Sequence, residues 1–185
     1  MLVIRTILTF ACVLCLLGAS AAAESATAAI PDGGELRMTL PDAWRATTEV
    51  AGPSVTARIA TAEPQQFLVL LTVLPVKPGS AVGTPEGLKA LVTQLGNNGL
   101  ASALQDQLEL SELTNPEGPG FYYHLTDRKP ESGPADYREA HQGALLLATH
   151  IVSFTVLTHP GDDKTVEQAV RLLTSLRIVL PASRT

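Results

Sequence analysis

The stretch FLVLLTVL, residues 67–74, decides the fold because it is apolar at almost every position. Pro64 and Pro75 bound it, and its length suits a strand better than a helix. A strand that is apolar on both sides must be covered on both sides. The stretch therefore predicts a central strand of a sheet with further layers packed on each face.

The flanking segments predict further strands. Residues 35–40 alternate, with Leu36, Met38 and Leu40 facing one way and polar side chains facing the other. The remaining predicted strands cover residues 44–50, 54–62, 108–114, 121–127, 137–147 and 151–158, and the last two form a hairpin that turns near residues 148–150. Where two strands are consecutive the link is short, which favours antiparallel pairing.

Two segments predict helices. The first begins at Thr84 as N-cap with Pro85 at the first helical position, and the glycines and asparagines of residues 96–99 end it. The second covers residues 163–176, where Asp162 or Asp163 is expected to cap the first turn and Pro181 ends regular structure beyond it. The apolar spacing predicts buried stripes at Leu88, Leu91, Val92 and Leu95 in the first helix, and at Val166, Ala169, Val170, Leu173 and Leu176 in the second.

The order of elements predicts an α+β domain. It consists of a mainly antiparallel sheet of about seven or eight strands, flanked by two helices. Residues 35–181 form one globular domain in this interpretation, residues 24–34 (ESATAAIPDGG) a flexible lead-in, and residues 182–185 a tail.

The first 23 residues indicate export. Arg5 is followed by the apolar run ILTFACVLCLL and then by small residues, the order of a secretory signal, and we expect cleavage after Ala23. The apolar run is too short to span a bilayer comfortably. Both cysteines, Cys12 and Cys15, lie within it, so the mature chain contains no thiol. The expected location is therefore the periplasm or the extracellular space, with no integral membrane segment in the mature chain.

The charge of the chain argues against two kinds of partner. The formal net charge is −5, and loss of Arg5 would make it −6. Lys and Arg are scattered, and Arg128-Lys129 is their one adjacent pair. Since nucleic acids and anionic membranes are bound chiefly through clustered basic residues, neither is expected as a partner.

Several of these segments resemble the PsbP-like fold and its exported bacterial relatives. The residues that carry the resemblance are Leu40, Pro41 and Trp44 in MTLPDAWRATTEV, the segment GFYYHLT, the hairpin YREAHQGALLLATHIVSFTVLTH, and the final helix ending in Leu173-Thr174-Ser175-Leu176. The resemblance implies an α/β/α sandwich. It also implies a non-enzymatic envelope or lumenal protein that binds other proteins or membrane complexes.

The sequence contains no clear motif for catalysis, metal binding or cofactor binding. His124, His141, His150 and His159 are not spaced as ligands on one element, although His124 and His141 fall on strands that can be neighbours. The nearest match to a serine nucleophile elbow, residues 79–83, lacks a strand before it. We therefore expect no enzyme activity, no cofactor and no metal site.

The segment Tyr122-Tyr123-His124 is the best candidate for a contact surface. Alternation in a strand places Tyr122 and His124 on one face, next to loops that include Arg128 and Lys129. These four residues are the expected contacts with an envelope protein partner of unknown identity. The alternatives are a carrier that holds a small molecule or lipid in an apolar cavity, and an enzyme with a deep pocket at His124 or His141.

Overall fold

The interior position predicted for residues 67–74 is confirmed by the pairing of the strands. The computed structural model describes residues 24–31, 34–62 and 66–181. Within these ranges lie strands β1 (Glu24–Ala29), β2 (Glu35–Leu40), β3 (Trp44–Ala51), β4 (Ser54–Thr61), β5 (Phe67–Pro75), β6 (Leu110–Asn115), β7 (Gly118–Thr126), β8 (Glu139–Leu147), β9 (His150–Thr158) and β10 (Arg177–Val179). The helices are α1 (Pro85–Gly99) and α2 (Asp163–Ser175), with short 3-10 turns at Ala81–Gly83 and Leu100–Ser102. The predicted signal segment and tail lie outside the described residues.

Seven strands form the main sheet, in the order β3-β4-β5-β9-β8-β7-β6. Every neighbouring pair is antiparallel. Strand β5 lies between β4 and β9, with Phe67 opposite Thr158 and Pro75 opposite His150. The sequence therefore predicted both the antiparallel sheet and the interior place of its most apolar strand.

The two helices lie on opposite faces of this sheet. Helix α1 packs on β7 and β8, where Leu88 and Val92 contact buried side chains of β7. Helix α2 and a small sheet of order β1-β2-β10 contribute to the larger core on the other face. That core contains Trp44 and Phe67, whose ring centroids are 4.2 Å apart. The architecture is α+β, as predicted.

Two short strands were not predicted. Residues 24–29, interpreted as part of a flexible lead-in, form β1 and pair along their whole length with β2. Residues 177–179 pair with the other edge of β2 as β10. Strand β1 precedes its partner β2 by only five residues, but its small residues, ESATAA, carry a weak strand pattern. Strand β10 pairs with a part of β2 about 140 residues earlier, and local composition does not reveal such a partner.

Helix α1 begins as predicted but is rotated relative to the predicted stripe. The Thr84 side chain accepts a hydrogen bond from the Gly87 amide at 3.1 Å. Leu88, Val92 and Gly96 face the sheet, whereas Leu95 is 50% exposed, so the prediction that Leu95 is buried is wrong. Gly96 permits the close approach, because a Cβ there would lie 2.5 Å from a methyl carbon of Leu108.

Helix α2 differs from its prediction in the cap. Asp162 occupies the N-cap position, but its carboxylate makes no capping hydrogen bond. Its backbone carbonyl accepts from the amides of Thr165 and Val166 instead, at 2.9 and 3.1 Å. The expected carboxylate cap is therefore wrong. The buried face consists of Ala169, Leu172, Leu173 and the C-cap Leu176, whereas Val166 and Val170 are half-buried.

Candidate functional site

Strand β7 divides its side chains between the two faces of the sheet. Phe121, Tyr123 and Leu125 are buried in the cluster beneath α1. Tyr122 and His124 lie on the opposite face, where Tyr122 borders α2. The alternation predicted for this strand is present, and the two sets of side chains lie in different environments.

Tyr122 is half-buried rather than exposed. Its ring packs against Phe154 of β9, with centroids 6.3 Å apart, and it lies at the margin of the larger core. Opposite it on β8 is Gly143, where a Cβ would stand 2.6 Å from the Tyr122 Cβ. The absence of a side chain at Gly143 lets the two strands and the tyrosine pack closely. Tyr122 therefore packs against the core beside the site, and its side chain is only partly exposed.

His124 is the exposed member of the face. Its side chain is 40% accessible and stacks on His141 of β8, with ring centroids 4.4 Å apart and 17° between the planes. The two residues are directly opposite in the β7–β8 register. His124 Nε2 also contacts the carboxylate of Glu139. Cross-strand pairing thus joins two imidazoles and one carboxylate at this end of the sheet.

Glu139 is held by a second contact that fixes this arrangement. Its Oε2 accepts a hydrogen bond from the Thr126 hydroxyl at 3.1 Å. The Gln105 side chain in turn donates to that hydroxyl at 3.1 Å and accepts from the Thr126 amide at 2.9 Å. The chain from Gln105 to His124 is a continuous polar network, and such networks rigidify the side chains they join.

His141 is the perturbed group of the site. Burial lowers the pKa of His141 to about 4, and a positive charge on His124 acts in the same direction. The carboxylates of Glu139 and Asp163 oppose these effects only in part. His141 is therefore neutral near pH 7, and the stacked pair does not carry two adjacent positive charges.

Two concavities border the histidine pair, and they differ in size and lining. The first, between α2 and the sheet, has a volume of about 10 Å³, close to that of one water, and is lined by apolar side chains with Tyr122 and His141. The second is an open groove of about 540 Å³ beside His124. We call it the β6 groove, and it is lined by Gln105, Asp106, Gln107, Glu109, Ser111 and His124.

Arg128 and Lys129 lie beyond the end of β7 and not in the β6 groove. The Arg128 guanidinium donates to the carbonyl of Ala103 at 2.8 Å, and its amide donates to the carbonyl of Ser102 at 2.9 Å. The Lys129 amide donates to Asp127 Oδ1 at 2.8 Å, and the residue is exposed. The four residues singled out in the sequence thus fall into two groups along one strand and the loop that follows it.

Sequence reasoning did not identify Gln105, Glu109 or Glu139 as parts of the site. Residues 100–107 belong to none of the predicted elements, and the register that brings Glu139 to His124 depends on which β8 residue faces which β7 residue. The signal that was available is the spacing of Glu139 and His141, two residues apart on one strand and so on the same face.

The site presents an imidazole–carboxylate pair, His124 with Glu139, at the protein surface. A histidine paired with a carboxylate offers a donor and an acceptor to a ligand. Over the described residues, the histidines and carboxylates do not form a group of three or more that is able to hold a metal ion. No helix within these ranges is long and apolar enough to cross a membrane.

The fold has a solved counterpart. Cyanobacterial PsbP from Synechocystis superimposes with a TM-score of 0.54 over 87% of this chain and 95% of that chain, at 11% sequence identity. The fold is PsbP-like. No protein-family model matches the chain, and no curated protein matches its sequence. At this identity the likeness establishes the fold alone, and it is the fold that the sequence resemblance predicted.

Proposed function

We propose that the chain is an exported, non-catalytic binding or accessory protein of the cell envelope. It contacts a protein partner through the β6 groove, through the sheet face that carries Tyr122 and His124 (the His124 face), and through the loop that carries Arg128 and Lys129. The signal-like first 23 residues support export, and the PsbP-like fold agrees with an accessory role.

The observation that carries the proposal is the position of His124 on the wall of the open β6 groove. The groove is polar, and its lining includes the carboxylates of Asp106 and Glu109. Open, polar concavities suit a segment of a partner's surface, whereas small-molecule sites are mostly enclosed and apolar. The acidic lining favours a partner segment that carries Lys or Arg.

The same geometry bears on the two alternatives. A lipid carrier needs an apolar cavity, and the one enclosed between α2 and the sheet holds about 10 Å³, far below the ~300 Å³ of a typical ligand pocket. An enzyme is favoured by the contact of His124 with Glu139, an imidazole–carboxylate pair of the kind that transfers protons. That pair faces the open groove rather than a closed cleft, so binding is the function that the geometry supports best.

Site-specific photo-crosslinking in the native cell tests the proposal. A photoreactive amino acid at Glu109 stands in the β6 groove, and one at Glu86 stands on the exposed first turn of α1. We expect a discrete crosslinked product from position 109 that position 86 does not give. Products at neither position, or the same products at both, would contradict the proposed surface.

A matched pair of charge changes separates specific capture from background. Glu109→Lys reverses a charge in the groove, and Glu86→Lys makes the same change on the helix. The first is expected to reduce capture of the partner and the second to leave it unchanged. Should the two variants behave alike, the captured protein binds elsewhere.

A further inference from the structure

Strand β3 is an edge of the main sheet. Within the described ranges it pairs on one side only, with β4, over all eight of its residues. Arg45 is exposed, and so are residues 47–51. An edge strand presents a row of backbone donors and acceptors, which is a template for pairing with another strand. β3 contains no proline and no lysine, residues that often block such pairing.

The β3–β4 hairpin determines which backbone groups point away from the sheet. Its loop is two residues, Gly52-Pro53, closed by the pair of Ala51 and Ser54. In such a hairpin the closing pair exchanges hydrogen bonds, and every second residue repeats this pattern. The amides and carbonyls of Ala46, Thr48 and Val50 therefore point outward.

Trp44 is also an even-numbered residue, and its backbone groups point outward as well. Its amide donates to the carbonyl of Pro41 at 3.1 Å, and its carbonyl accepts from Arg45 Nη1 at 2.8 Å. Both groups are thus directed away from β4. The even-numbered residues of β3 are the ones that a strand added at this edge would meet.

The sequence of β3 is complementary to itself. Two copies can pair antiparallel about a two-fold axis at Thr47. In that register the numbers of two residues that lie opposite each other add up to 94. Arg45 of each copy then lies opposite Glu49 of the other, and Ala46 lies opposite Thr48. This register pairs even residues with even residues, as the outward backbone groups require. Opposite charges directly across two strands stabilise their pairing.

We propose that β3 is a homodimerisation edge, along which two copies of this chain pair antiparallel about Thr47 and join their main sheets. The contact is isologous, as expected for a two-fold dimer, because each copy uses the same strand. Two Arg45–Glu49 ion pairs fix the register. A single shared edge buries a small area, so the dimer forms at high protein concentration and dissociates on dilution.

An exposed apolar side chain lies at this edge. Val50 is 60% exposed, and in the proposed register it faces Trp44 of the second copy. Pairing covers it. The opposite edge of the sheet, β6, contains Glu112 and no basic residue, so two copies of β6 have no charge pair to exchange. The charge pattern therefore distinguishes β3 from β6.

Arg45 already has a partner within the chain. Its Nη1 lies 2.9 Å from Glu24 Oε2, and both side chains are more than half exposed. Exposed pairs of this kind contribute little stability because water and salt screen them. Arg45 exchanges Glu24 for Glu49 of the second copy when the dimer forms.

Charge reversal tests the dimer. Sedimentation velocity of the protein, purified in the form that the cell accumulates, should show a monomer–dimer equilibrium between micromolar and millimolar concentration. Glu49→Arg and Arg45→Glu each create two like-charge pairs and should raise the dimer Kd about tenfold or more. The double variant restores opposite charges and should restore the wild-type Kd.

The results that overturn the proposal are a wild-type protein that stays monomeric at millimolar concentration, single variants with the wild-type Kd, or a double variant that dimerises no better than the singles. Circular dichroism and thermal unfolding show whether each variant is folded. Because both side chains are exposed, neither reversal is expected to unfold the domain.

A crosslink tests the register independently of charge. In a background with Cys12→Ser and Cys15→Ser, Thr47→Cys places two thiols directly opposite each other, whereas Thr48→Cys offsets them by two residues. Oxidation should yield a disulfide dimer much faster from the first variant. Equal rates would contradict pairing about Thr47.

Discussion

The imidazole of His141 lies under that of His124, with ring centroids 4.4 Å apart, and the carboxylate of Glu139 contacts the outer ring. The inner ring is the more buried of the two histidines. This arrangement places a group whose ionisation is suppressed directly beneath the surface proposed for binding.

Stability should depend on pH through His141. Its pKa is about 4 in the folded chain and near 6.5 when unfolded, so the unfolded state binds more protons between these values. The contribution of neutral His141 to the free energy of unfolding is complete above pH 6.5 and is lost as the pH falls towards 4. We expect a loss on the order of 2 kcal/mol, below the full value of the shift because the ring is partly exposed. Urea unfolding at a series of pH values measures it.

Two variants check the cause of this pH dependence. His141→Gln removes the group and should flatten the unfolding free energy between pH 6.5 and 4. His124→Gln removes the neighbouring positive charge, so the pKa of His141 should rise and the slope should become smaller. If His141→Gln keeps the wild-type slope, the dependence arises from other groups.

Asn115 should be important for the docking of α2. Its side-chain amide donates to the carbonyls of Leu173, Thr174 and Leu176, at 3.1, 3.3 and 3.0 Å. Carbonyls at a helix C-terminus lack partners within the helix, and unsatisfied buried groups are costly. Asn115→Ala should lower the free energy of unfolding by about 2–3 kcal/mol. Asn97→Ala, on the exposed surface of α1, is the matched control, and an equal loss in both would contradict this role.

Gly143 should not tolerate a side chain. A Cβ there would lie 2.1 Å from the carbonyl oxygen of Phe121, a backbone atom that cannot move without shifting β7. Gly143→Ala should therefore destabilise the domain by about 1–3 kcal/mol or more. Gly133→Ala, where a Cβ meets nothing within 4 Å, should have little effect. Thermal unfolding distinguishes them, and a harmless Gly143→Ala would mean that the strands are not packed as described.

The residues that specified the sheet are those whose pattern is local. Two strands were predicted from the apolar run at residues 67–74 and the alternation at residues 35–40. In both, the order of apolar and polar side chains shows whether one or both faces of the strand are buried. Strand β1 was missed because its small residues carry only a weak alternating pattern, although its partner β2 follows directly. Strand β10 was missed because its partner β2 lies far away in the chain. Local composition carries no record of such partners.

The candidate site was predictable only in part for the same reason. The sequence indicated that His124 and His141 lie on strands able to be neighbours, but the register that stacks them comes from the β7–β8 pairing. The contact of Glu139 with His124 and the β6 groove depend on that register and on the path of residues 105–111. Tyr122 was expected at a contact surface, yet it is only partly exposed because it packs against Phe154.

Binding of a protein partner at the β6 groove and the His124 face is tested most directly by the affinity of the partner captured by crosslinking. His124→Ala and Glu109→Lys should each weaken its binding by about tenfold or more, as expected for a residue central to an interface. Glu86→Lys should leave the Kd unchanged. Wild-type affinity in both groove variants would contradict the account.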